Sequence, residues 1–216
     1  MPFFRHLTRS AVALAAALTA ILAVLMATTV PAQAFTTYTP TGGPDVRFVG
    51  TGVTLEHLPT GEVFSCPTFD LAGTVISSGT SRSYGAPAAG FSTTTSSCRP
   101  NVACGPVSLA ILVPGGFAIT GDTSSGTWPA RIAGVKLRVS CSGCQLTLDG
   151  SVDGRFNATT GVFTPNAGPS GLLQTSTNGD PLCVIMGFQN GDAFAVGGHW
   201  TNVPPSGSVG LAVSNP

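Results

Sequence analysis

Val135-Lys136-Leu137-Arg138-Val139-Ser140-Cys141-Ser142-Gly143-Cys144-Gln145-Leu146-Thr147-Leu148-Asp149-Gly150-Ser151-Val152-Asp153 is the stretch from which the fold is read. Val135, Leu137 and Val139 alternate with Lys136, Arg138 and Ser140, the period-two pattern of a strand with one apolar and one polar face. Leu146, Leu148 and Val152 set against Thr147, Asp149 and Asp153 nearly repeat it, and Gly150-Ser151 reads as a bulge that shifts the phase. Ser142-Gly143 between the two runs fits a tight turn. Two adjacent strands joined by a turn are therefore expected.

The same grammar extends outward. Strands are expected at Val46–Leu55, Phe64–Ile76, Val107–Val113, Phe117–Gly121, Arg131–Ser140, Gln145–Asn157, Gly161–Phe163, Gly171–Thr175, Leu182–Phe188 and Ala193–Trp200. Asn157–Gly161 and Asn190-Gly191-Asp192 read as hairpin turns, and the small-residue run Pro87–Thr95 as a loop. With 28 Gly and 17 Pro in 216 residues, long helices are disfavoured. The expected fold is all-β: one mostly antiparallel domain, a sandwich or barrel-like, stabilised by disulfides. The head (35–45) and the tail (204–216) are each either an ordered edge strand or a frayed end.

Charge narrows the functions. Only 8% of residues are charged, about a third of the roughly 25% usual in soluble domains, which excludes a charge-driven disordered chain. Nine basic residues balance nine acidic ones, so the basic excess of a nucleic-acid binder is missing.

Residues 1–34 carry the three parts of a secretory signal. Arg5, His6 and Arg9 form the basic start, Ala11–Met26 the apolar run, and Ala32-Gln33-Ala34 the small-residue site, with cleavage expected before Phe35. A membrane anchor is the alternative, since the run stretched to Val30 approaches the ~20 residues that span a bilayer. Pro31 and the small-residue site favour removal. Taking 34 residues from 216 leaves 182, with 7 basic and 9 acidic residues because Arg5 and Arg9 depart. No later run is long enough to span a membrane.

All six cysteines lie beyond that segment: Cys66, Cys98, Cys104, Cys141, Cys144 and Cys183. An even number downstream of an export signal reads as disulfides formed outside the cytoplasm. Chain order directs Cys66 to Cys98 or Cys104, and Cys183 to Cys144 or Cys141. Cys141-Ser-Gly-Cys144 has thioredoxin-type spacing, but that chemistry needs a helix N-terminus to stabilise the thiolate. This pair lies between two strands, so structural bridging is expected. A zinc half-site would need a second pair or two close histidines, and neither is present.

Candidate chemistry is sparse. Beyond the signal only His57 and His199 remain, and no G-x-S-x-G elbow accompanies them, although Asp122, Asp149, Asp153, Asp180 and Asp192 could complete a triad. The carboxylates are too scattered to name a glycosidase pair. Asp149, Ser151 and Asp153, followed by Gly154, open like a calcium loop, but Thr160 stands where a bidentate Glu belongs; an Asp-Gly bulge or turn is the expected reading. Trp128, Trp200 and His199 are the candidate ligand-binding residues, with core or hairpin packing the expected place of both tryptophans. No catalytic residue, metal ligand or cofactor is assigned.

Three segments resemble a group of exported actinobacterial proteins of uncharacterised activity: Gly126-Thr127-Trp128; Cys144 through Gly161, with its Asn157-Ala-Thr-Thr-Gly161 hairpin; and Leu182-Cys183 through Asn190-Gly191-Asp192, then Phe194 and Gly197-Gly198-His199-Trp200. With Cys66 the likeness covers most of residues 64–203. It implies one exported β domain with a disulfide in its early half and a Cys144–Cys183 bridge; the extra pair among Cys98, Cys104 and Cys141 departs from the group, and Cys141 is left to the remaining cysteine. The expected role is a non-enzymatic surface or envelope-associated module of structural or adhesion type, whose partners are cell-wall components or other copies of itself. The alternatives are a binding module for a small apolar ligand or carbohydrate, and an extracellular hydrolase built on His57 or His199.

Overall fold

The alternation around Val135–Ser140 becomes one half of a long strand in the computed structural model, which describes residues Phe35–Asn215; the expected signal segment 1–34 lies outside the described residues. The strands are β1 (Thr37–Gly43), β2 (Asp45–His57), β3 (Glu62–Val75), β4 (Arg82–Ser83), β5 (Pro87–Ser97), β6 (Val107–Ile119), β7 (Thr127–Cys141), β8 (Cys144–Asn157), β9 (Val162–Pro165), β10 (Pro169–Thr177), β11 (Ala193–Asn202) and β12 (Val209–Ser214). One short helix, α1 (Pro181–Ile185), precedes β11.

Every neighbour in the main sheet is antiparallel, and β11 returns to pair with β2. The sheet thus closes into an eight-stranded up-and-down barrel. Its seventh position is shared: β9 pairs with β8 and β11 near Asn157 and Thr201, while β10 pairs with the same two strands near Gly150 and Phe194. Among the described residues closure leaves the sheet no free outer strand except where β5 and β6 part toward one rim. A second, three-stranded sheet, β12-β1-β4, lies at the end where β2 begins. The head and tail of the chain therefore pair with each other as ordered strands.

Inward side chains form two tiers. Phe48, Phe91, Phe117, Phe156 and Phe163 make an aromatic floor, with neighbouring ring centroids 5.1–6.3 Å apart. Leu, Val and Ile residues fill the tier above. At the opposite rim stand all six cysteines, paired as Cys66–Cys98, Cys104–Cys141 and Cys144–Cys183. Cys141 and Cys144 face each other across the Ser142-Gly143 turn, and each is bonded elsewhere, so a C-x-x-C redox pair does not form.

Four local expectations need correction. Pro87–Thr95 is no loop but most of β5, because Ala88, Ala89 and Phe91 bury themselves against the floor. Leu182–Phe188 is no strand: Pro181 opens α1, and the Asp180 side chain accepts a bond from the Leu182 N–H at 2.8 Å, a cap that turns this short apolar run into a helix. Val107–Val113 and Phe117–Gly121 merge into β6, whose kink at Gly115 has φ +70°, and a Cβ there would lie 2.3 Å from the Ala133 carbonyl oxygen. The bulge near Gly150 belongs to the partner strand: the register slips in β7 between Ile132 and Val135, while Leu148, Gly150 and Val152 stay in phase on β8.

Candidate functional site

Between the aromatic floor and the cysteine rim the barrel holds a cavity whose lining side chains are all apolar, among them Val53, Leu55, Leu71, Leu137, Val196 and Trp200. Its volume is about 30 Å³. An eight-stranded barrel is at the width where side chains just fill the interior or leave room for one small ligand. This interior is nearly full, dry in character, and gives a guest only apolar contacts.

The wall beside this cavity is incomplete. β5 and β6 share ladder partners only over Pro87–Gly90 and Gly116–Ala118. Farther toward the rim β5 pairs only with β3, and β6 only with β7. One side-chain bond crosses the gap, from the Ser96 hydroxyl to the Leu109 carbonyl at 3.2 Å. Leu109 and Ile111 line both this slit and the cavity and are only partly buried. Two disulfides brace its flanks: Cys66–Cys98 ties the end of β5 to β3, and Cys104–Cys141 ties the connection into β6 to the end of β7.

The candidate residues fall in different places. Trp200, 2% exposed, lines the cavity floor, and its indole N–H donates to the Phe69 carbonyl at 2.8 Å. Trp128, 4% exposed, is buried on β7 opposite Phe156. Both rings are packed in the core, and neither is the open platform that carbohydrate binding requires. His199 lies half-buried on β11 beside a register slip.

His57 is fully buried. Its Nε2 donates to Asp192 Oδ2 at 2.8 Å and its Nδ1 accepts from the Thr60 hydroxyl at 2.6 Å, the one assignment that satisfies a neutral ring. Phe188 and Phe194 enclose the ring at centroid distances of 4.8 and 5.1 Å. The row of hydroxyl, imidazole and carboxylate clamps the β2–β3 turn to the turn entering β11, and no face of the ring is open to a substrate. Asp149, Ser151 and Asp153 lie along β8 rather than around a loop, and Arg131 holds Asp153 through two bonds. Among the described residues no three His, Cys, Asp or Glu groups gather to hold a metal ion.

At the other end, Asp122 accepts from the Tyr84 hydroxyl and from the Phe35 backbone N–H, the latter at 3.1 Å to each carboxylate oxygen. Burial first, and then the Asp122 carboxylate, push the Tyr84 phenol up to about 12. Asp122 also borders an open polar groove with Ser124, Thr127, Arg155 and Asn166.

Comparison with known proteins adds nothing to this geometry. No family model, curated protein or solved structure matches the chain. The slit has no counterpart in the sequence analysis, and Asp122 enters there only as a possible triad member, because the place of both depends on distant segments meeting. The alternation of Leu109 and Ile111 with Ser108 and Ala110 was the only local sign of the slit.

Proposed function

We propose that this chain is an exported binding protein that takes a slender apolar ligand into its barrel through the slit between β5 and β6. The observation that carries the reading is the wholly apolar cavity beside an unpaired stretch of wall. A guest enters by displacing Leu109 and Ile111, the lining side chains least held by neighbours, and gains roughly 25 cal/mol for each Å² of apolar surface removed from water. Three disulfides support export, since such bonds persist outside the reducing cytoplasm. Among the described residues no helix is long and apolar enough to cross a membrane.

Titration with N-phenyl-1-naphthylamine tests the reading. Saturable one-to-one binding, with energy transfer from Trp200, is expected, and Ile111→Trp should weaken it at least tenfold by filling the slit. Absence of saturable binding by this probe and by medium-chain fatty acids sinks the proposal.

The structural or adhesive role is the second reading, favoured by the same slit seen from outside. Leu112 and Val113, 41% and 47% exposed, lie on the unpaired stretch of β6, a template on which a second copy could add a strand. Sedimentation of the protein with and without cell-wall material tests it: a monomer at every concentration that ignores the envelope fraction counts against it.

A further inference from the structure

The bidentate approach of the Phe35 nitrogen to Asp122 bears on how the chain is finished. We propose that Phe35 is the N-terminal residue of the processed protein and that Asp122 is the built-in receptor for its ammonium group. The inference rests on the reading that residues 1–34 are an export signal, and goes beyond it by naming what the cut creates.

Three observations meet at this point. First, Ala32-Gln33-Ala34 ends in the small residues a signal peptidase accepts, which places the hydrolysed bond between Ala34 and Phe35. Water supplies the hydroxyl that makes Ala34 a carboxylate and the hydrogen that makes the Phe35 nitrogen an amine, protonated at neutral pH. Second, that nitrogen already stands 3.1 Å from both oxygens of Asp122, the distance and direction of an ion pair once it is charged. Third, the carboxylate lacks a cation. Among the described residues the ion pairs are Arg47–Asp70 and Arg131–Asp153, and no basic side chain pairs with Asp122. Its present donors, the Tyr84 hydroxyl and one backbone N–H, are neutral.

The segment that follows holds the nitrogen in place. Thr36 accepts a bond from the Tyr84 N–H at 3.1 Å. Tyr38 is fully buried, stacks on Tyr84 with centroids 6.2 Å apart, and donates its hydroxyl to the Ala86 carbonyl. Thr37 and Tyr38 pair with Ser83 and Arg82. The chain is thus built into the fold from Thr36 onward, while the Phe35 ring, 45% exposed, reaches solvent. The cut converts a neutral hydrogen bond into a charged one and locks β1 to the segment after β6.

The test uses protein secreted with its full leader. Intact mass should correspond to a chain starting at Phe35. Reductive methylation with labelled formaldehyde then reports the α-amine by NMR, and its titration midpoint should lie at least one unit above the ordinary range of ~7.7–8.0. Asp122→Asn should return the midpoint to that range. A chain carrying Gly-Ser ahead of Phe35, with Asp122 intact, should do the same even if the Asp122 variant fails to fold. A leader retained whole overturns both this inference and the reading of residues 1–34 as a cleaved signal. A start at any residue other than Phe35 overturns this inference alone, as does a Phe35 amine titrating like that of a free peptide.

Discussion

The indole N–H of Trp200 on β11 reaches over β2 to the carbonyl of Phe69 on β3, 2.8 Å away. It passes at Gly50, where a Cβ would stand 2.8 Å from the indole nitrogen and 2.2 Å from the Phe69 oxygen. The Gly50 N–H meanwhile donates to the Asp70 carboxylate. A side chain from one strand thus supplies the hydrogen bond that its neighbouring ladder leaves out.

Trp200→Phe keeps an aromatic ring in the cavity floor but strands the buried Phe69 carbonyl. Denaturant unfolding should show a loss of about 1–3 kcal/mol. Gly50→Ala should cost at least as much, because the added methyl meets backbone that has no room to move. Equal stability of either variant with the wild type would discredit the bridge.

Removing the Cys66–Cys98 crosslink by a double Cys→Ala substitution frees a loop of sequence separation 32. Chain-entropy reasoning puts the loss at about 3.5–4 kcal/mol. The same variant should widen the slit, read as faster amide exchange in Thr93–Ser97 than in β8. Uniform exchange across both strands would contradict the bracing role.

At His57 the partners differ in weight. Asp192→Ala leaves both the His57 Nε2–H and the Gln189 N–H without their acceptor, and should cost about 1–3 kcal/mol. Thr60→Val removes one bond at an exposed turn and should cost less, about 0.5–1.5 kcal/mol. Thermal melts of the two variants check the order, and its reversal would show that the clamp is anchored from the other side.

Alkaline pH gives another handle. The Tyr84 phenol ionises near 10 in the unfolded chain and at about 12 in the fold, through burial first and then Asp122. The unfolded state therefore releases its proton earlier. Stability from this group is complete below pH 10 and drains away as pH rises from 10 to 12. Tyr38 is raised in the same direction, by burial first. Phenolate absorbance should stay low until pH exceeds 10, and Asp122→Asn should shift the Tyr84 midpoint downward; an unshifted midpoint would leave burial as the whole cause.

Strands with strict alternation, such as Val135–Val139, were legible because a half-buried strand needs that period. Leu146–Val152 was legible as a strand but not in its phase past Gly150, since the extra residue lies on the neighbouring strand. β5 was not, since Ser92–Ser97 is polar on both faces and only Ala88, Ala89 and Phe91 carry the inward signal. Leu182–Phe188 looked like a strand because its apolar run is too short for periodicity to separate helix from strand, and capping by Asp180 decided the matter. Barrel closure depends on β11 meeting β2 across some 140 residues of chain, which no local pattern encodes. Among the site residues, Trp200 stood out by type, yet its place in the floor follows from register; Leu109, Ile111 and Asp122 had no distinguishing neighbours.

The meander order has a consequence for synthesis. Each stave leans on the one before it, but the last, Ala193–Asn202, must find the first, Asp45–His57. Until that stave has been delivered, the partly assembled cylinder carries raw borders at both margins, ready to zip onto any passing chain. Translocation as an unfolded thread, followed by swift sealing once Asn202 is through, suits such a wall better than ripening stave by stave in a crowded cytosol.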